Sequence, residues 1–386
     1  MSKKTKNSLS VLSMFCGCGG LDLGFEEAGF DCIWANDSNK DACQTYKANF
    51  EGNLLHEGNI EDIEPPTKET IKDLTVLLGG FPCQAFSNAG QRKGIDDHRG
   101  QLYKFCMEYI DRLQPKFVVF ENVRGLLTIA GKEKHLLDEI LEELEGLGYI
   151  PHVKLVEASN YGVPQRRIRV FIVAHRKDLN LTYRFPKTKV VEGLNLGNIL
   201  KIPKKTPNQD QVIRLNPQAH ILGDMVPEGG SWKSIPYDSL PDRLKRIRDD
   251  MRKYRWPNFY RRFSREEIAG TITAAFKPEN AGVWHPTIKR PFSVREIARI
   301  QSFPDTFIFE GSSIKSLYQM IGNAVPPKLA EAVATSILSS LEEKTIKTPT
   351  RDYLSVRESG TPIRPEADEL IFNPEDQNHQ QSLKCI

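Results

Sequence analysis

The sequence predicts an α/β protein with a doubly wound, mostly parallel sheet and a second, smaller domain. Three observations support this fold class. Apolar runs alternate with helical patterns in the first half of the chain, glycine-rich or polar segments follow several of these runs, and the periodicity weakens after about residue 186. Strands that alternate with helices form parallel sheets, whose ligands bind beyond the carboxyl ends of the strands.

The apolar runs predict strands at residues 9–15, 32–35, 75–78, 117–120 and 168–174. The patterns between them predict helices near residues 21–28, 40–49, 101–113 and 133–147. The last of these helices has leucine and isoleucine at helical spacing and carboxylates on its other face. We therefore expect crossover units in order along the first half of the chain.

The second half is less regular. Residues 190–260 are rich in proline, asparagine and lysine, which predicts the smaller domain, and a helical pattern returns at 325–341. The last thirty or so residues are polar and turn-rich, so a poorly ordered tail is predicted there.

Composition excludes several classes of protein. The 386 residues are 39% hydrophobic and 27% charged, as in ordinary globular proteins. No apolar run approaches the roughly 18 residues of a membrane span, and the N-terminus does not resemble a signal peptide. Seven cysteines without a C-x-x-C pair argue against a disulfide framework or a structural zinc site. We expect a soluble protein of the reducing cytoplasm that holds no metal.

Charge is concentrated in one stretch, although the net charge is only +3. Residues 243–265 contain ten basic and two acidic residues, with five aromatic residues among them. Basic groups attract phosphates and aromatic rings stack on bases, so this stretch is a candidate nucleic-acid surface. It is equally consistent with a solvated helix whose aromatic residues belong to a small core.

The first candidate site is Phe15-Cys-Gly-Cys-Gly-Gly20, between a predicted strand and a predicted helix. Glycines allow a ligand close to the backbone, and Asp37 at the end of the next strand is placed to bind ribose hydroxyls. The pattern indicates a nucleoside cofactor, and a dinucleotide would fit equally. A glycine-rich turn without a ligand is the less favoured alternative.

Three later segments carry further candidates. Cys83 follows a proline in a glycine-rich loop, which suits an exposed nucleophile better than a buried thiol. Glu121 follows an apolar run and is either a proton donor of raised pKa or a helix N-cap. Arg167 and Arg169 fall on one face of the next strand, and clustered arginines suggest recognition of an anion or a carbonyl.

In this order and spacing the segments resemble the cytosine-5 DNA methyltransferase family. The resemblance covers about residues 9–186 and 261–340. Besides the first loop, it rests on Gly79-Gly-Phe-Pro-Cys-Gln-Ala-Phe-Ser87, Asp97-His-Arg-Gly100, Glu121-Asn-Val123, Gln165-Arg-Arg-Ile-Arg169, Arg295-Glu-Ile-Ala-Arg-Ile-Gln-Ser-Phe-Pro-Asp305 and Gly322-Asn-Ala-Val-Pro326.

The resemblance implies an S-adenosylmethionine-dependent methyltransferase fold and assigns roles to the four regions. Residues 9–186 would be the catalytic and cofactor-binding domain, and 187–260 the target-recognition domain. Residues 261–342 would be a scaffold that returns to complete the catalytic domain, and 343–386 a polar, flexible tail.

It also implies a mechanism on a base flipped out of the duplex. Cys83 would add to carbon 6 of cytosine, Glu121 would bind or protonate ring nitrogen 3, and Arg169, with Arg167, would hold the carbonyl oxygen. The residues implied for S-adenosylmethionine are Phe15, Gly17, Gly19, Gly20, Asp37, Asn59, Ile60, Pro82, Leu102, Asn323 and Val325. Asn59 departs from the aspartate of many members, and we expect altered affinity rather than lost binding.

Double-stranded DNA is the expected partner of a bacterial restriction-modification enzyme, and residues 86–99 are a candidate lid over the flipped base. Such an enzyme would be a cytoplasmic monomer, associated with the nucleoid through DNA and functionally paired with a restriction endonuclease of the same specificity. The predicted DNA-binding residues are Ser87, Gln91, Arg92, Arg99, Trp232, Lys245, Arg248 and Arg252.

Three alternatives compete with this interpretation. A branch with similar motifs methylates transfer RNA, but the sizeable middle region favours DNA. A catalytically silent DNA-binding module would not need Cys83, Glu121 and Arg169 together. A nicotinamide dehydrogenase would explain the first loop and Asp37, but not the Pro-Cys-Gln segment.

Overall fold

A computed structural model describes residues 9–52, 54–82, 102–129, 135–250, 259–275, 283–342 and 369–371. Its centre is an eight-stranded sheet with the strand order β3-β2-β1-β4-β5-β7-β6-β8. The strands are Leu9–Met14 (β1), Phe30–Asp37 (β2), Leu55–Glu57 (β3), Val76–Gly79 (β4), Phe117–Val123 (β5), Tyr149–Glu157 (β6), Ile168–Arg176 (β7) and Glu369–Ile371 (β8).

The sheet confirms the predicted doubly wound, mostly parallel architecture. Strands β3, β2, β1, β4 and β5 pair in parallel, whereas β7 is antiparallel to both β5 and β6, and β8 is antiparallel to β6. The chain winds outward from β1 to β3 and then from β4 in the other direction. The point where this direction reverses lies between β1 and β4, where ligands of open α/β sheets bind.

Helices cover both faces of the sheet and form much of the remaining structure. They are Gly20–Glu27 (α1), Lys40–Asn49 (α2), Leu102–Leu113 (α3), Leu136–Gly146 (α4), Leu196–Ile199 (α5), Pro217–Met225 (α6), Asp242–Asp249 (α7), Val294–Ile300 (α8), Ile314–Asn323 (α9) and Pro327–Glu342 (α10). None of the helices in the described residues is long and apolar enough to cross a membrane.

The C-terminal helix α10 packs closely against α1, the first helix of the fold. A Cβ atom on Gly24 of α1 would lie 2.4 Å from the carbonyl oxygen of Pro327 and 2.5 Å from the Cβ of Ala330. Only glycine allows this approach, because any side chain at residue 24 would push α10 away. The last helical segment is therefore part of the same body as the first crossover unit.

The predicted strands and helices are all confirmed, with small shifts at their ends, but three strands were not expected. Strand β6 contains Pro151, His152 and Lys154, which hide its apolar alternation although all three side chains are buried. Strand β5 extends beyond Phe120 to Val123. The C-terminal region is also not irregular throughout, because β8 pairs with β6.

Residues 187–260 contain a small apolar cluster of their own. It is formed by α6, α7 and the segments between them, and its buried members are Ala219, Leu222, Val226, Trp232, Ile235, Leu240, Leu244, Ile247 and Tyr260. Both the separate smaller domain and its boundaries stay predictions.

A buried carboxylate lies beneath the start of α1. Asp22 has no solvent-exposed surface, and the Tyr46 hydroxyl donates to its Oδ1 at 3.0 Å. The thiol of Cys32 lies 3.9 Å from the same oxygen. Burial raises the pKa of Asp22 to about 6, because the charged form loses its hydration.

This carboxylate predicts a pH dependence of stability. The pKa of Asp22 is higher in the folded than in the unfolded state, so its contribution to stability falls as the pH rises through about 6. The unfolding free energy of Asp22→Asn minus that of the parent protein should therefore be about 1 kcal/mol larger at about pH 7.5 than at about pH 5. Urea unfolding at both pH values measures this difference. An equal difference at the two pH values would show that Asp22 does not titrate in this range.

Candidate active site

One cavity of about 1210 Å³ lies at the carboxyl ends of β1, β2, β4 and β5. All of the residues predicted to bind cofactor line it, with the exception of Gly19. The predicted catalytic residues Glu121, Arg167 and Arg169 line it as well. The fold therefore brings together groups that are more than 300 residues apart in the sequence.

The loop after β1 is held in an unusual backbone conformation. Phe15, Gly17 and Gly19 have φ angles of 57°, 57° and 88°, in the left-handed region. The N–H of Cys16 donates to the Asn36 carbonyl oxygen at 2.9 Å, and the N–H of Gly17 donates to Asp37 at 2.8 Å. These bonds attach the loop to the end of β2 and turn it around the cavity.

Gly19 is required for packing rather than for lining the cavity. A Cβ atom at this position would lie 2.3 Å from the ring of Phe50, and the φ angle is already unfavourable for a side chain. A Cβ atom on Gly20 would lie 2.4 Å from the carbonyl oxygen of Val325, so the loop and the returning C-terminal segment touch at the cavity wall.

Asp37 closes the carboxyl end of β2. Its two carboxylate oxygens accept hydrogen bonds from the N–H groups of Gly17 and Asn39, both at 2.8 Å. Burial raises the pKa of Asp37, while these backbone donors act in the opposite sense. The carboxylate is thus fixed in orientation, and each oxygen has further capacity to accept a hydroxyl.

Asn59 and Ile60 form the wall beyond β3. Asn59 is exposed and precedes a short 3₁₀ helix, and its Nδ2 lies 3.4 Å from Asp62 Oδ2, whereas Ile60 is buried. Asn36 holds this wall in place, because its side-chain amide donates to the carbonyl oxygens of His56 and Gly58. Asn36 was not predicted, since a single asparagine in an apolar strand gives no pattern.

Glu121 and Arg169 form a buried ion pair. Arg169 Nε lies 2.8 Å from Glu121 Oε1, and both side chains are only about one-tenth exposed. Antiparallel pairing of β5 with β7 places Glu121 opposite Phe171 and Val123 opposite Arg169. Glu121 and Arg169 are therefore diagonal neighbours on one face of the sheet. Glu121 therefore lies within a strand, which excludes the helix N-cap interpretation.

The surroundings of Glu121 favour its protonated form more than water does. Burial raises the pKa of the carboxyl group, and the guanidinium groups of Arg169 and Arg167 act in the opposite sense. A carboxyl group of this kind can hold a proton nearer to neutral pH and donate it to a ligand in the cavity.

Arg167 has a different environment from Arg169. It is 1% exposed, and its guanidinium donates to the carbonyl oxygens of Ile272, Gly322 and Ala324 at 2.9, 2.9 and 3.1 Å. These contacts attach Arg167 to two later segments of the chain.

Two buried glutamines that the sequence did not single out connect the same segments. Gln165 Nε2 donates to Gln301 Oε1 at 2.9 Å, and Gln165 Oε1 accepts from the N–H of Ile272 at 2.8 Å. Gln301 in turn donates to the Ile321 carbonyl oxygen at 2.7 Å. Gln165 belongs to the Gln-Arg-Arg segment, so its position in that segment was the available signal.

Cys83 lies outside the described residues, as do Ser87, Gln91, Arg92, Arg99 and Arg252. The structure does describe the residues immediately before Cys83. Asn122 donates to the Phe81 carbonyl oxygen at 3.2 Å, and Pro82 lines the cavity. The segment that leads to Cys83 is thus attached to the strand that carries Glu121.

The prediction that Trp232 contacts DNA is wrong. Its side chain is 1% exposed and belongs to the apolar cluster of residues 187–260, so it cannot reach a groove. Lys245 and Arg248 are half-buried on α7, where both lie over the Tyr237 ring and Arg248 donates to the Ile235 carbonyl oxygen.

Most of the remaining described cations in residues 243–265 are also engaged within the protein. Arg261 and Arg265 pair with Glu267 and Glu228 at 2.6 and 2.8 Å, and Arg262 is buried against main-chain carbonyls. The described aromatic residues of this stretch, Phe259, Tyr260 and Phe263, pack in apolar clusters. For them the small-core interpretation is correct.

The contact of Gly20 with Val325 predicts a mutational effect. Gly20→Ala should destabilise the fold by about 1–3 kcal/mol, because the new methyl group meets backbone rather than a flexible side chain. It should also distort the cavity wall and weaken ligand binding. Gly146→Ala is the matched control, because a Cβ there meets no atom within 4 Å. Urea unfolding measures both variants, and equal stability would contradict the proposed contact.

Comparison with known proteins agrees with this geometry. The family model for C-5 cytosine-specific DNA methylase matches residues 9–339. The chain is 37% identical over 348 residues to Type II methyltransferase M.NgoFVII of Neisseria gonorrhoeae, covering 86% of this chain and 87% of that protein. It is 34% identical over 360 residues to Type II methyltransferase M.Eco47II of Escherichia coli, covering 89% and 82%.

Solved structures show the same fold. A DNA modification methyltransferase encoded within an Escherichia coli prophage superposes with a TM-score of 0.64 at 25% identity, covering 87% of this chain and all of that one. The Spodoptera frugiperda DNMT2 structure, at 21% identity, has a TM-score of 0.60 and covers 87% of this chain and all of its own. The chain therefore belongs to the family of C-5 cytosine-specific DNA methylases.

Proposed function

We propose that this methyltransferase modifies carbon 5 of a flipped-out cytosine in a short duplex sequence, with S-adenosylmethionine as methyl donor. One observation carries the proposal. The glycine loop with Asp37 and the Glu121–Arg169 pair line the same cavity. Its volume of about 1210 Å³ exceeds the roughly 300–1,000 Å³ of a typical small-molecule site, as expected when a cofactor and a base bind side by side.

The residues of the cavity fit S-adenosylmethionine. The glycine loop provides a cradle, Asp37 offers fixed acceptors for ribose hydroxyls, and Asn59 with Ile60 provides a polar and an apolar group for the adenine. Pro82, Leu102, Asn323 and Val325 complete the wall. When bound, S-adenosylmethionine supplies a methyl group on a positively charged sulfur.

The Glu121–Arg169 pair fits the polar edge of cytosine. A protonated Glu121 would donate to ring nitrogen 3, and the guanidinium of Arg169 would donate to the carbonyl oxygen at ring carbon 2. Both contacts withdraw electrons from the ring, so a thiolate adds more readily to carbon 6. The family resemblance assigns that thiolate to Cys83.

Covalent addition explains how an unreactive carbon becomes a nucleophile. Bond formation between the Cys83 sulfur and carbon 6 would leave electron density at carbon 5, which could accept the methyl group as the sulfur–methyl bond of the donor breaks and leaves a neutral thioether. Loss of the carbon 5 proton to a base restores the double bond and expels the thiolate. These atoms are inaccessible inside a duplex, so the base must leave the helix.

DNA is favoured over RNA as the substrate, and a restriction-modification role follows from the relatives. Both relatives above carry the description Type II methyltransferase, and the match extends over the middle region as well as the catalytic core. We propose residues 187–260 as the region that recognises the target sequence, and an endonuclease of the same specificity as the functional partner.

The covalent step predicts the effect of removing the thiol. Cys83→Ser should lose methyl transfer by several orders of magnitude, while S-adenosylmethionine binding stays near normal because the described cofactor residues are unchanged. Duplex DNA with 5-fluorocytosine at the target should give a stable adduct with the parent protein, since fluorine does not leave as a proton does.

Activity assays and denaturing gels measure these two effects. Cys106→Ala is the matched control, because the Cys106 thiol is fully buried and does not line the cavity. It should keep both activity and adduct formation. Normal turnover by Cys83→Ser would contradict the mechanism.

Because most described cations of residues 243–265 are engaged within the protein, fewer of them are available to DNA than the composition of this stretch suggests. Arg243 and Arg246 on α7 are exposed, so they are the described cations best placed to bind phosphate there. The double alanine variant should reduce the slope of log affinity against log salt by about 0.9 for each phosphate that is no longer neutralised. Lys116→Ala is a control that removes one cation, paired with Asp73, from a different place, since Lys116 directly precedes the amino end of β5, opposite the cavity. Identical slopes for all three proteins would show that α7 does not face DNA.

A further inference from the structure

We infer that Arg167 is a positioning residue that sets the cavity wall formed by residues 271–275 and 322–324, and that it does not itself hold the base. The inference rests on the proposed function for the identity of the two ligands. It departs from the role that the family resemblance implied, and it follows from the hydrogen bonds of Arg167.

The two terminal nitrogens of the Arg167 guanidinium donate to main-chain carbonyls, whereas its buried Nε has no hydrogen-bond partner among the described residues. Nη1 donates to Ile272, and Nη2 donates to both Gly322 and Ala324. The side chain is 1% exposed, so breaking these bonds would leave buried donors without acceptors. Arg169, by contrast, forms an ion pair with the side chain of Glu121, with Nε 2.8 Å from Oε1. Two arginines of one segment thus have different tasks.

The three acceptors belong to the wall of the cavity. Ile272 lies in the segment 271–275, and Gly322 and Ala324 flank Asn323 at the end of α9. All of these residues line the cavity. Gly322 also packs against the first segment, because a Cβ there would lie 2.5 Å from the carbonyl carbon of Thr273. Arg167 therefore joins two separate segments to the strand that carries Arg169.

Only arginine suits this position. Its planar guanidinium presents several donors in fixed directions, so one side chain reaches carbonyls of two segments at once. A lysine would keep the charge but would place a single point of donation on a flexible stem. Arg167→Lys should therefore loosen the wall while leaving the charge near Glu121 in place.

Arg295 provides a matched control. It is also fully buried and donates to main-chain carbonyls of Pro207, Pro304 and Phe307, but it does not line the cavity. Arg167→Lys and Arg295→Lys therefore remove the same kind of contact from the same folded body. They differ in whether the carbonyls belong to the cavity wall.

The test compares S-adenosylmethionine affinity by titration calorimetry, methylation kinetics and the urea midpoint. Removing charge-assisted bonds at the wall should raise the Kd for S-adenosylmethionine on the order of tenfold in Arg167→Lys, with a lower kcat. Arg295→Lys should lower the urea midpoint and leave the Kd unchanged. Equal Kd values for the two variants would overturn the inference, as would a lower kcat in Arg167→Lys with an unchanged Kd, which indicates direct contact with the base.

Hydrogen–deuterium exchange of the parent protein provides a second measurement that does not depend on the folding of a variant. Addition of S-adenosylmethionine should slow exchange in residues 268–275 together with residues 320–325, because Arg167 connects them. Protection of residues 320–325 alone would contradict the connection. If the parent protein neither binds S-adenosylmethionine nor methylates cytosine, the proposed function fails, a result distinct from the failure of this inference.

Discussion

The active cavity depends on close packing between the first crossover unit and a segment that returns from the far end of the chain. Gly20 touches the Val325 backbone, and Gly24 touches the backbone of Pro327 two residues later. A side chain at either glycine would separate α1 from the returning segment. Without that packing, the carboxyl edge of the sheet would be open on one side, and the glycine loop would have no opposite wall.

The same packing has an electrostatic consequence. Closing the carboxyl edge removes Glu121, Arg167 and Arg169 from solvent. A charged group that is buried in this way is stable only with a partner. The protein meets this requirement in two ways: Glu121 pairs with Arg169, and Arg167 is surrounded by main-chain carbonyls. Because the pair is buried, the carboxyl group can hold a proton that an exposed glutamate would release.

Much of this arrangement was predictable from the sequence, for identifiable reasons. Asp37 and Gly20 were found because ligand sites in parallel sheets follow strand ends. Glu121 was found for the same reason, but its strand continues past it, since antiparallel pairing with β7 extends the ladder. Strand β6 was missed because its buried polar residues obscure the alternation, and Trp232 was assigned to DNA because an aromatic residue after a glycine turn gives no sign of burial.

The central claim is that one cavity brings a methyl donor to carbon 5 of a cytosine in DNA. Conversion sequencing of DNA from cells that express this chain, beside cells without it, tests that claim most directly. We expect 5-methylcytosine at one short recurring sequence, with unrelated cytosines unmodified. Genomic DNA without sequence-specific 5-methylcytosine, from cells in which the chain is folded and abundant, would contradict the claim.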